Sequence, residues 1–162
     1  MTERSEAAEE QRHETAPQRL DRNTVELLNE LRIAGTGIQV MFAFLLILPF
    51  NVGWKKVDGF ERTEYFVTLM VVALAAFLLM APPIHHRLLF RHGEKQFLIT
   101  VGNRLAIAGM VCLGIGFIGI VVLISDVVIG GAAPAIFGIL AAIVIVLLWF
   151  ALPIVHSEQR SS

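Results

Sequence analysis

Cysteine is almost absent from this chain. Cys112 is the only one in 162 residues, which rules out an intramolecular disulfide, a cysteine metal cluster and any thiol oxidoreductase that works with a cysteine pair. A charge excess is missing too. Thirteen Lys and Arg stand against fourteen Asp and Glu, leaving a net charge of −1. That balance argues against a nucleic-acid partner, because such domains carry a strongly basic face. No Gly-rich phosphate loop and no Ser/His/Asp arrangement occurs. The most telling absence is local: residues 33–50, 65–82, 105–124 and 134–152 contain no Asp, Glu, Lys or Arg.

What fills those stretches is apolar. The hydrophobic fraction is 56% and the mean hydropathy +0.69, above the ~45–50% apolar usage of soluble domains. About 18 or more such residues span a hydrocarbon core ~30 Å thick when helical. A backbone without water must satisfy itself, so each run reads as a helix. The expected fold is all-α, a bundle of four transmembrane helices in one domain covering 23–155. The polar residues 1–22 read as a disordered cytoplasmic tail and 156–162 as a short cytoplasmic tail. With no basic segment opening onto an apolar core and a small-residue cleavage site, the first run reads as a retained span rather than a signal peptide.

The charges outside the runs orient the bundle. Arg4, Arg12, Arg19, Arg22 and Arg32 precede the first run, Arg87, Arg91, Lys95 and Arg104 lie between the second and third, and Arg160 follows the fourth. Only Lys55, Lys56 and Arg62 fall on the other side. Basic residues collect on the cytoplasmic side, so both termini are expected there. Trp54, Phe60, Tyr65 and Phe66 at the outer ends, with Phe90, Phe97 and Trp149 at the inner ends, suit interfacial aromatic belts.

Finer features follow. Asn23 with Glu26 resembles a capping box, and Leu20, Leu27, Leu28 and Leu31 line one face of an amphipathic N-terminal helix. That helix is either interfacial or an extension of the first span. Pro82 and Pro83 are expected to end the second span or open a new turn, with 84–91 forming a short basic cytoplasmic helix that Gly93 closes. Gly130, Gly131 and Pro134 supply a hairpin to the fourth span. Gly102, Ala106, Gly109, Cys112, Gly116 and Gly119 recur at helical spacing and form a stripe for close helix packing, within the chain or against a second copy.

Chemistry-bearing residues are few, and no catalytic residue, cofactor or metal is expected. His85, His86, His92 and Glu94 lack ligand spacing and stand among arginines, so interfacial histidines fit better than a metal site. Gln39 is the strongly polar side chain inside the runs, placed to hydrogen-bond another helix or to meet a substrate. Asp126 sits at a helix end rather than mid-span. No histidine or acid lies inside a run, which excludes bis-histidine haem and the usual proton-coupling carboxylate. Arg87, Arg91, Lys95 and Arg104 form a basic cluster of the kind that holds anionic lipid head groups. Attention thus falls on the inner edge, where Asn29, Glu30, Arg87 and Arg104 gather, with Arg104 placed to reach a carboxylate such as Glu30. Two roles stand ahead of a third, an enzyme at the inner interface using the histidines. One is a non-enzymatic packing or interaction module that contacts membrane lipid, a membrane protein or a second copy. The other is a small transporter or channel subunit with a polar path near Gln39, Asn103 and Arg104.

The stretch 27–32 (LLNELR) leading to 39–46 (QVMFAFLL), with 86–91 (HRLLFR) and 102–105 (GNRL), resembles a family of small bacterial four-span membrane proteins known as a domain of unknown function. The resemblance covers residues 23–155. It implies a multi-pass protein of the bacterial plasma membrane and carries over no catalytic residue.

Overall fold

The computed structural model describes residues 15–89 and 95–151. Four helices lie among the described residues: α1 (Ala16–Ile47), α2 (Gly59–Leu89), α3 (Lys95–Val128) and α4 (Ala133–Val146), the last running on into a π-helical turn over Leu147–Ala151. Short 3₁₀ turns, Leu48–Phe50 and Val52–Lys56, join α1 to α2. No strand occurs among the described residues.

Capping explains where two of these helices start. Thr15 precedes α1, and both its N–H and its hydroxyl donate to Gln18 Oε1, at 2.9 and 2.8 Å. The helix therefore begins at Ala16 and not at Asn23, which sits inside it. Residues 16–22 belong to this helix rather than to a disordered tail, and the amphipathic segment is an extension of the first apolar helix rather than a separate element. Asp58 caps α2 reciprocally: its Oδ1 accepts from the N–H groups of Phe60 (2.8 Å) and Glu61 (2.9 Å), while Glu61 Oε2 accepts from the Asp58 N–H (2.8 Å). Each pairing satisfies donors that a helix start leaves open.

α2 also differs from the sequence expectation at its far end. It runs unbroken through Pro82 and Pro83 to Leu89, so no separate basic helix begins at residue 84. Each proline removes one backbone donor and crowds the preceding turn. Pro82 is buried against α3 at Gly102, whereas Pro83 is exposed. Gly93, expected to close the basic helix, lies outside the described residues.

The core is a three-helix assembly with a seven-residue rhythm. Leu31, Ile38 and Leu45 of α1, Tyr65, Val72 and Leu79 of α2, and Ala106 and Leu113 of α3 are all buried. On α3, Gly102, Gly109 and Gly116 continue the same register and face α2. A Cβ at Gly109 would lie 2.6 Å from Leu79 Cγ, and one at Gly116 would lie 2.7 Å from Val72 Cγ2. Gly119 meets the buried Thr68. A strict heptad is the pattern of helices that wrap left-handedly, and small residues in it let the backbones close up.

α4 stands apart from this core. Among the described residues it contacts α3 but neither α1 nor α2, with Gly138 its buried residue, so the expected four-helix bundle is a three-helix core flanked by a fourth helix. The reason is the short connection. Gly130 and Gly131 take φ of +72° and +62°, the left-handed region that glycine enters without strain, and turn the chain straight back onto α3. The other side of α3 is already occupied by α1 and α2. Gly114 and Gly138 make the α3–α4 contact close, facing Ile145 and Val122.

One polar tie crosses between the end of α1 and the start of α2. Pro49 has no N–H for the Leu45 carbonyl, and the buried Tyr65 hydroxyl donates to that oxygen at 3.1 Å. Trp54 packs edge-on against Tyr65 with ring centres 4.7 Å apart.

Candidate functional site: a charged groove between α1 and α3

Because α1 reaches back to Ala16, its early turns lie alongside the start of α3. Contact is close at one point: a Cβ on Gly102 would sit 3.2 Å from Leu27 Cδ2. Residues spaced three and four apart share a helix face, so Asn23, Glu26, Leu27 and Glu30 form one wall. Thr100, Asn103 and Arg104 form the other. Together they line an open groove of 450 Å³. Arg22 Nη1 donates to Glu26 Oε1 at 2.9 Å along the α1 wall. Glu30 and Arg104 face the same groove, but no ion pair joins them. The charge-free runs begin at Ile33 on α1 and Leu105 on α3, so the groove lies at the polar margin of the apolar region.

The structure brings together some of the residues singled out by sequence and separates others. Asn103 and Arg104 line the groove with Glu30, whereas Asn29 and Arg87 are exposed and outside its lining. Arg91 lies outside the described residues, as does the side chain of Lys95 at the start of α3. Gln39 does not join Asn103 and Arg104. It stands exposed on α1, about 18 Å along the helix axis from Leu27 at ~1.5 Å per residue. His85 is half-buried on α2; His92, Glu94 and the side chain of His86 lie outside the described residues. Among the described residues no three His, Cys, Asp or Glu side chains cluster as metal ligands would. Cys112 is half-buried against the core.

Two features were missed by sequence reasoning. Asn23, Glu26 and Thr100 contribute to the groove; the i+3 and i+7 spacing of Asn23, Glu26 and Glu30 was the available signal. At the opposite end, Glu64 adjoins an apolar groove of 380 Å³ between α2 and α3, lined also by Val67, Val71, Ile115 and Ile118. One of its carboxylate oxygens is buried without a hydrogen-bond partner, and Asp126 and Glu61 are near enough for their charges to act on it. Glu64 directly precedes the second charge-free run, so reading the runs alone passes over it.

Fold and groove together define a class: an all-helical protein in which three helices are long and apolar enough to cross a membrane, with a shorter apolar helix over Ala133–Trp149. The chain belongs to a family of unknown function, DUF6328, whose model matches residues 13–153 and so takes in the groove and all four helices. No curated protein and no solved structure matches it.

Proposed function

We propose that this chain is a multi-pass membrane protein with both termini in the cytoplasm, acting as a non-enzymatic interaction module that contacts anionic lipid or a protein partner at its cytoplasmic face. The observation that carries the reading is the outward surface of the helix pack. Phe77 is 71% exposed, and Phe44, Val67, Leu74, Ile115 and Ile139 also point outward. Soluble monomers rarely expose contiguous apolar patches beyond a few hundred Å². Hydrocarbon covers such a surface, and the helices meet its demand that backbone groups be satisfied internally. The side bearing the groove holds Arg87 and Arg104, and the excess of basic residues there supports its assignment to the cytoplasm.

Transport through Gln39, Asn103 and Arg104 finds no support in this geometry, since Gln39 is far from the other two. For the lipid contact, native mass spectrometry of the purified protein is expected to find retained anionic phospholipid. Joint substitution of Arg87, Arg91, Lys95 and Arg104 by Gln removes four charges, each worth about 1 kcal/mol near an anionic surface, and should abolish that retention. Unchanged retention contradicts the lipid assignment.

A further inference from the structure

The groove between α1 and α3 carries charge of both signs, which narrows what it holds. Glu26 is engaged by Arg22. The side chains of Glu30 on one wall and Arg104 on the other make no ion pair or hydrogen bond with each other or with another described residue. A bare anion entering the groove is attracted by Arg104 and repelled by Glu30; a bare cation meets the reverse. A ligand carrying a phosphate and an ammonium a few bonds apart satisfies both. The guanidinium fork matches phosphate oxygens, and a primary ammonium offers three donors to a carboxylate. Below the groove both walls turn apolar on the same faces: Ile33 lies three residues after Glu30 and Ile107 three after Arg104, and both are exposed. That arrangement fits a molecule with a zwitterionic head and hydrocarbon tails.

We infer that this groove seats the head group of an ethanolamine phospholipid, phosphate on Arg104 and ammonium on Glu30, with its acyl chains along Ile33 and Ile107. The inference rests on the membrane reading above, with the groove at head-group depth, and it sharpens the lipid contact from anionic to zwitterionic at this position. A quaternary choline head group has no N–H to give Glu30, so the site discriminates between the two.

The test uses the full chain in nanodiscs of equal parts ethanolamine, choline and glycerol phospholipids, with co-purified lipid counted by native mass spectrometry. Ethanolamine lipid should exceed choline lipid by at least about threefold, the scale of a partly exposed charge pair. Glu30→Gln should erase that preference and raise retention of the anionic glycerol lipid, because a like charge is gone. Arg104→Gln should lower retention of both ethanolamine and glycerol lipids. Both residues are exposed, so these variants keep the fold, and unchanged thermal unfolding verifies it. Equal retention of ethanolamine and choline lipids, or a preference that survives Glu30→Gln, overturns the inference. Strong glycerol-lipid retention without an ethanolamine preference overturns it while leaving the anionic contact in place. Failure of the chain to enter nanodiscs overturns both.

Discussion

Single residues set how closely these helices approach. Gly109 and Gly116 face Leu79 and Val72, where a methyl group would come to 2.6 and 2.7 Å, well inside the ~3.5–4.0 Å optimum for carbon contacts. Val72 is β-branched and fully buried, so it has few rotamers in which to yield. Gly116→Ala and Gly109→Ala should each lower stability by roughly 1–3 kcal/mol, the usual cost of overpacking. Gly35 supplies the contrast, since a Cβ there meets nothing within 4 Å. Gly35→Ala should be neutral or stabilising by about 0.5–1 kcal/mol through backbone entropy alone. Thermal unfolding in detergent compares the three; equal losses at all of them would sink the packing account. The small-residue face was legible because its members are spaced three or four residues apart. Gly114 was not, since it faces α4, whose position depends on a turn rather than on any periodicity along α3. Glu64 was hidden by lying one residue outside a run.

At the scale of elements, the existence of all four helices was legible, because charge-free stretches of this length have few alternatives. Their ends were less so. Asn23 and Glu26 have capping-box spacing, but Thr15 and Gln18 use it further upstream and the helix runs through Asn23. Two prolines read as a stop, yet Gly102 on the neighbouring helix leaves room for Pro82. Neither outcome is local: each depends on a partner that a linear pattern does not reveal. Asp58, in contrast, caps α2 with a signal that was present in the sequence, Asp58 followed by Glu61, and it accounts for where that helix begins. Asp58→Ala removes the acceptor for two N–H groups and should cost about 1 kcal/mol. Hydrogen exchange should show it first at Phe60 and Glu61, and unchanged protection there would contradict the capping role.

For the molecule as a whole, the charges around the apolar runs point to an orientation that the residues within them cannot. The groove, however, draws its walls from residues 23–30 and 100–104. The topology put Glu30 and Arg104 at the same edge, but the register that makes a groove of them follows from α1 extending back to Ala16 and from Leu27 meeting Gly102. That is why Glu30 and Arg104 were both noticed, while the shared pocket, with Asn23 and Thr100 in it, was not. The separation of Gln39 from that pocket follows from the same register, and it weakens the idea of a polar path more than any composition argument does. α4, resting on α3 alone, leaves the molecule with an asymmetric outline in which the three-helix core reaches solvent or lipid on most sides.

The membrane topology underlies both the lipid contact and the groove's depth, and it is open to direct measurement. Reporter fusions or single-cysteine labelling at residues 57, 130, 92 and 160 read the side of each connection in intact cells. The account predicts that 57 and 130 face outside while 92 and 160 face the cytoplasm; the reverse pattern, or labelling of all four from one side, would contradict it.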